Sequence, residues 1–277
     1  MINEMADTAR LAARTLSAAT GAERSAALNA IADAVLARSA EILAANEEDM
    51  VRARAAKIND SLMDRLLLTP ARIEGIAKSA REVSKLPDPL GITLRHSTLP
   101  NGIDLQQITV PFGVIGMVYE ARPNVTIDAA AILLMSGNAA LLRGSSSAAS
   151  SNQILVTVIR DALKTTKISP EVVQLVPSGD RETVTALLNA RGKVDLVIPR
   201  GSASLIRAVV DESRVPTIET GAGVCHVYVD EFADLSKAVP IIINSKTQRP
   251  SVCNAAETLL LHESIAKDFA PIALKAL

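Results

Sequence analysis

An α/β fold built on a doubly wound parallel sheet is predicted by three observations. From Gly113 onward, short apolar runs alternate with polar turns and helical stretches, the pattern of buried strands joined by crossover helices. Met1 to about Leu86 is rich in Ala, Leu, Arg and Glu, repeats its apolar residues at three and four, and holds no proline before Pro70, so it predicts a helical layer. Hydrophobic residues make up 48% of the 277, enough to fill a sizeable core.

In the helical layer, Leu28, Ile31, Val35 and Ile42 are expected to line one helix face, with Glu23, Asp33 and Arg38 turned away. Asn59-Asp60-Ser61 and Thr69-Pro70 read as helix breaks or N-caps. Between Pro87 and Pro111 the composition shifts to Pro, Gly and β-formers. Two alternating runs, Ile92 to Arg95 and Leu105 to Val110, flank Pro100-Asn101-Gly102 and read as a hairpin. A two-stranded hairpin is marginal on its own, so it is expected to pack on something else, a second subunit being one option.

The α/β part follows in order. Val114 to Val118 is an apolar strand, Tyr119 to Val125 a turn, and Thr126 to Met135 a helix closed by Ser136-Gly137-Asn138. Ala139 to Arg143 is a strand running into Gly144-Ser145-Ser146-Ser147 and a helix from about Ala149 to Lys164. Val172 to Val176, the helix Glu182 to Asn189, Val194 to Ile198, the helix Ser202 to Glu212, and Pro216 to Glu219 continue the alternation.

Ligands of such sheets bind beyond the carboxyl ends of the strands. The residues there are Arg122-Pro123-Asn124, Arg143-Gly144-Ser145-Ser146, Pro177-Ser178-Gly179, Pro199-Arg200-Gly201-Ser202 and Glu219-Thr220-Gly221-Ala222-Gly223. Glycines admit a ligand to the backbone, helix N-termini offer amides to phosphate, and arginine pairs with it bidentately. Any one loop is accounted for by tight-turn requirements; five on one edge point to a phosphate-bearing ligand. Neither a GxGxxG fingerprint nor a GxxxxGK[ST] loop is present.

Net charge is −1 and the pI near 6.3, which excludes an electrostatic footprint for nucleic acid or an anionic membrane. Aromatics are 2%, too few for base or sugar stacking platforms. Apolar runs such as Ala129 to Met135 are too short to span a bilayer, and the cysteines and the start of the chain suit a reducing cytoplasm. His96, His226, His262 and the two cysteines lack metal-site spacing, so no metal is expected. The chemistry is expected at Thr247-Gln248-Arg249-Pro250-Ser251-Val252-Cys253-Asn254, where a thiol stands beside a cation just before the apolar run Ala256 to Leu261. Those surroundings make a usable nucleophile; the alternative is a small buried hydrophobe. Cys225, in the strand pattern Val224 to Val229 without a cation nearby, reads as structural.

Pro111-Phe112-Gly113-Val114-Ile115-Gly116 with Tyr119 to Thr126, the Leu142 to Ser145 turn, Ile218 to Gly221 running into Cys225 to Asp230, and Gln248 to Asn254 together resemble the gamma-glutamyl phosphate reductase family of the aldehyde dehydrogenase superfamily. The resemblance implies an aldehyde dehydrogenase-like fold. Residues 1–90 would be a helical layer of the cofactor domain, 91–110 an oligomerisation hairpin, 111–230 an NADP-binding domain, and 231–277 the start of a catalytic domain. It also implies a chain shorter than its family. The implied activity is NADPH-dependent reduction of L-glutamyl 5-phosphate to glutamate 5-semialdehyde in proline biosynthesis, in a cytoplasmic homo-oligomer coupled to glutamate 5-kinase. An NAD(P)-dependent aldehyde dehydrogenase and a non-catalytic NADPH-binding fragment are the alternatives.

By position in the family's motifs, Cys253 is the implied nucleophile and Asn124 the oxyanion-hole amide, acting with the Cys253 backbone N–H. Arg143 would lie beside the adenosine ribose, and Ser146, where NAD-preferring relatives often carry a glutamate, would leave room for a 2′-phosphate; Ser145 is a further implied cofactor-binding residue. Gly201-Ser202 would start the helix that holds the pyrophosphate, and Gly179 and Gly221 are further implied cofactor-binding positions. Glu219 stands where aldehyde-oxidising relatives carry the general base for thioester hydrolysis; with phosphate in place of water as the partner, its implied role is cofactor positioning. Arg122, Lys246 and Arg249 are the cations open to the substrate carboxylate.

Overall fold

The computed structural model describes residues 1–179, 181–219, 223–248, 250 and 252–277. It divides into two compact units, 1–220 and 221–277.

In the first unit, α1 (Ile2–Ala18) is followed by α2 (Gly21–Ala37), whose N-terminus is closed by a capping box between Thr20 and Glu23. The apolar run expected as one helix face is split: Leu28, Ile31 and Val35 are buried on α2, whereas Ile42 is buried on α3 (Ser39–Ala55). The break falls at Arg38 (φ −105°, ψ 22°). Asn59 and Thr69 cap α4 (Asp60–Leu66) and α5 (Pro70–Val83), each side chain accepting from the amide three residues on. Arg24 on α2 is 1% exposed; it donates to both carboxylate oxygens of Asp88 (2.6 and 2.7 Å) and ties the segment before the hairpin to the helical layer.

The hairpin strands β1 (Thr93–Thr98) and β2 (Asp104–Ile108) pair antiparallel and are exposed along both strands, Leu94, Leu105 and Ile108 included, as is Ile103 just before β2.

The sheet of this unit consists of β3 (Val114–Tyr119), β4 (Ala139–Arg143), β5 (Val173–Leu175) and β6 (Leu196–Arg200), all parallel, in the order β5-β4-β3-β6. Helices α6 (Asn124–Met135) and α7 (Ala149–Leu163) make the first two crossovers, and α8 (Arg181–Leu188) carries the chain back past β3 to β6. Strands buried on both faces are continuous apolar runs, and Val114, Ile115, Val118, Ala139 to Leu142, Val173 and Val197 are all buried. The N-terminal helices do not form one layer: α1 packs on the strands and α8, whereas α2 packs over α5, α6 and α7. After α9 (Ala203–Glu212) the expected strand at 216–219 is reduced to a bridge, Thr217 lying parallel to Val197.

In the second unit β7 (Cys225–Val229) pairs parallel with β8 (Ala256–Leu261). Between them runs α10 (Leu235–Thr247), and α11 (Glu263–Ala276) follows β8. Val229, Ala238, Ile242, Phe269 and Ala273 form its small core. Among the described residues, no helix is long and apolar enough to cross a membrane.

Candidate active site

The strand order puts a reversal of direction at β3: two successive crossovers build outward to β5, and the third returns to the other side. In doubly wound sheets the crevice opens at such a point, between the loops leaving the two strands that flank it. Here those loops are Glu120–Asn124, after β3, and Gly201-Ser202, after β6.

The two loops touch. The Ser202 N–H donates to Glu120 Oε1 (2.9 Å), and a Cβ on Gly201 would sit 2.6 Å from the Glu120 carboxyl carbon, so glycine is what lets this carboxylate in. Ser202 also caps α9, its Oγ accepting from Leu205 N–H (3.3 Å). Sequence reasoning placed Glu120 within a motif and gave it no role. The amide expected to await a phosphate is engaged by an internal carboxylate.

Asn124 opens α6 and is half-buried; its Nδ2 donates to Asp128 Oδ2 (2.9 Å), while Ser79 Oγ donates to the other carboxylate oxygen (3.1 Å). A carboxamide nitrogen carries two hydrogens, so one remains to be directed elsewhere while Asp128 holds the group's orientation. Sequence reasoning missed Asp128; its i, i+4 spacing from Asn124 on a helix is the signal that could have found it.

Burial pushes the Asp128 carboxyl above the ordinary range, against the lowering effect of the Asn124 and Ser79 hydrogen bonds. Its neutral form is thus favoured by folding. Its contribution to stability is fullest below pH about 4 and declines as pH rises through the raised value. Asp128→Asn, which does not titrate, is expected to flatten that part of the dependence of Tm on pH; a profile parallel to the parent's would refute this.

Arg143 ends β4 and is half-buried. Ser145 caps the 3-10 turn Ser146–Ala148, its Oγ accepting from Ser147 N–H (3.3 Å) and sharing a hydrogen bond with Ser147 Oγ (2.8 Å). Beneath this turn Tyr119 Oη, Thr126 Oγ1 and Asn152 Oδ1 form a buried chain at 2.8 and 2.9 Å, and burial pushes the Tyr119 hydroxyl up to about 12. A Cβ on Gly144 would collide with Asn152 and press on the Tyr119 ring. Gly179 lies open, with nothing within 4 Å of where its Cβ would be. Glu219 is exposed and Arg122 half-buried; Gly221 lies outside the described residues.

In the second unit Cys253 is exposed in the turn ahead of β8, where Ala255 N–H donates to Val252 C=O (3.2 Å). Lys246 is exposed in the last turn of α10, beside a cavity of about 100 Å³ that Glu257 and Thr258 also line. Arg249 lies outside the described residues. Cys225, read from the sequence as structural, is partly exposed, and its Sγ lies 3.6 Å from the carbonyl oxygen of Cys253.

A parallel sheet with this crevice and a thiol-bearing turn ahead of a strand is matched over residues 1–277 by the profile of the aldehyde dehydrogenase family. The chain belongs to the aldehyde dehydrogenase family. Among curated members of this family it is 56% identical, over 276 residues, to a gamma-glutamyl phosphate reductase of Thermobifida fusca, covering 100% of this chain and 66% of that protein. It is 54% identical over 269 residues to the enzyme of that name from Kineococcus radiotolerans, covering 97% and 62%. Of solved aldehyde dehydrogenase family structures, it is similar to gamma-glutamyl phosphate reductase of Thermotoga maritima, with TM-score 0.88 and 45% identity over 98% of this chain and 66% of that one. The chain spans about two thirds of the length of these relatives. An acetylating aldehyde dehydrogenase from Geobacillus thermoglucosidasius, 18% identical with TM-score 0.66, shares the fold.

Proposed function

We propose that this chain carries the cofactor edge and the nucleophile turn of an NADPH-dependent gamma-glutamyl phosphate reductase, which converts L-glutamyl 5-phosphate to glutamate 5-semialdehyde with release of phosphate. The observation that carries the reading is the 56% identity to a protein of that name across this chain's whole length, Cys253 turn included.

Cys253 is the nucleophile in this reading. Its thiolate attacks the acyl carbon, a C–S bond forms as the C–O bond to phosphate breaks, and a thioester remains on the chain. Asn124, oriented by Asp128, directs its second hydrogen to the oxygen on which charge develops. Bound dinucleotide would supply the hydride. Arg122, Lys246 and Arg249 are the candidates for pairing with the substrate's α-carboxylate, and Glu219 and Gly221 for placing the nicotinamide end.

The residues of the strand edge suit a dinucleotide. Arg143 offers a cation with no acidic side chain at Ser145 or Ser146, which favours a ribose bearing a 2′-phosphate; Gly179 leaves open space; and α9 begins at Ser202. Glu120 works against them, since a pyrophosphate at the Ser202 amide requires that carboxylate to turn away. Glu120→Gln is therefore expected to tighten NADPH binding roughly fivefold, the equivalent of about 1 kcal/mol for removing a like charge at an exposed site. A fluorescence titration showing equal or weaker binding would refute the competition.

The test of the function is NADP reduction by this chain with glutamate 5-semialdehyde, with and without phosphate. Strictly phosphate-dependent turnover is the expected result; turnover without phosphate would mark an aldehyde-oxidising enzyme. The coverage of two thirds of its relatives favours one further reading, a cofactor-binding part. NADPH binding that weakens in Arg143→Ala, without turnover in the parent, would select it.

A further inference from the structure

We propose that Cys225 is a resolving thiol for Cys253, and that a hydroperoxide converts the pair into a reversible intrachain disulfide. The second unit brings together residues 28 apart in sequence. β7 and β8 run parallel with Cys225 opposite Ala256, and the register slips between Cys225 and His226, so β8 carries one extra residue there. Cys253 precedes Ala256 by three residues, and its exposed turn folds back over the start of β7. The Cys225 thiol donates to the Cys253 carbonyl oxygen at 3.6 Å. Gly223 makes the approach tighter: a Cβ there would lie 2.5 Å from that carbonyl oxygen and 3.6 Å from Cys225 Sγ.

A disulfide requires Cα atoms roughly 4.4–6.8 Å apart. The Cys225 sulfur already touches the Cys253 peptide group, which brings the two side chains within reach of one another on a surface turn. The more exposed Cys253 is the one a peroxide reaches first. Its thiolate attacks the peroxide, an S–O bond forms, the O–O bond breaks, and one molecule of water (or alcohol) leaves. Cys225 sulfur then attacks the sulfenic sulfur, an S–S bond forms, the S–O bond breaks, and a second water leaves. Two thiols lose two electrons and the peroxide gains them. The disulfide takes Cys253 out of use and shields it from irreversible oxidation, and a dithiol returns both residues to thiols.

The inference rests on the proposed function only in taking Cys253 as the first thiol to react, and the experiment separates the two. The full chain is treated with hydrogen peroxide and examined by intact mass and by peptide mapping without reductant. Expected are a loss of about 2 Da, reversed by dithiothreitol, and a cross-linked peptide joining Cys225 to Cys253, whereas Cys225→Ser gains about 32 Da that dithiothreitol does not remove. A parent that gains about 32 Da as Cys225→Ser does, or that links only between chains, overturns the proposal; mapping the parent decides this even if the variant fails to fold. Iodoacetamide labelling before oxidation tests the other reading. If Cys225 is alkylated before Cys253, the assignment of Cys253 as nucleophile fails, with or without the disulfide.

Discussion

Cys253→Ser is expected to lower phosphate-dependent turnover on the order of 10⁴-fold or more, the scale seen when a covalent nucleophile is removed. The exchange is nearly isosteric and falls on an exposed turn, so folding gives no reason for a loss. What changes is chemistry: a serine hydroxyl is a far weaker nucleophile than a cysteine thiolate at neutral pH. Asn124→Ala is the graded companion, expected to cost roughly 10²–10³ as one oxyanion donor is lost. NADPH affinity should be unchanged in Cys253→Ser, because most of the residues proposed to meet the cofactor lie in the first unit. Turnover in Cys253→Ser within roughly a tenth of the parent's would exclude a thioester route, as would equal losses in Cys253→Ser and Cys225→Ser.

Period and turn chemistry made most of the first unit legible. Val114 to Val118 and Ala139 to Arg143 have no plausible place but a buried sheet, and Asn59 and Thr69-Pro70 mark helix starts by their own side chains. The break between α2 and α3 was hidden, since Arg38 is neither glycine nor proline and the apolar spacing continues through it. At the break Arg38 pairs with Glu41, three residues on, and with Asp161, 123 residues away. The buried charges were hidden as well. Arg24 finds Asp88 across 64 residues, and nothing in the local pattern of α2 separates it from a surface arginine.

The strand-end positions of the candidate site were legible because the topology rule points to them irrespective of side-chain contacts. Their engagement was not. That Glu120 reaches the Ser202 amide depends on β3 and β6 being neighbours, which the crossover order alone does not specify. The contact of Cys225 with the Cys253 turn likewise follows from β7 pairing with β8 across the intervening α10, and a strand pattern read residue by residue gives no hint of it.

Asp49→Ala is expected to cost about 3 kcal/mol of stability and to weaken NADPH binding as a consequence. Asp49 lies on α3 and is fully buried, yet its partners are on α7: Ser151 N–H (2.8 Å) and Ser151 Oγ (2.6 Å) donate to one oxygen, Ser150 N–H (3.1 Å) to the other. It caps the N-terminus of α7 from another helix, a carboxylate at the positive end of the dipole. Arg52 completes the group, pairing with Asp49 and donating to Ser150 Oγ (2.8 Å), while Asn46 Nδ2 donates to Ser151 Oγ (3.0 Å). Truncation strips the buried Ser151 amide and the partly buried Ser150 amide of their acceptor, at roughly 1–3 kcal/mol for a buried donor left unmet and less for the other. Arg52, half exposed, regains water, which keeps the total below that of a fully buried pair. Asp49→Asn keeps an acceptor oxygen and is expected to cost less than half as much. Because α7 begins directly after the turn from Arg143 to Ala148, loosening its first turn releases the residues proposed to meet the ribose 2′-phosphate. Urea unfolding at unchanged m separates the stability effect from altered compactness. A midpoint equal to the parent's would mean that water or Arg52 replaces the cap, and that the hold of α3 on α7 contributes nothing to the cofactor edge.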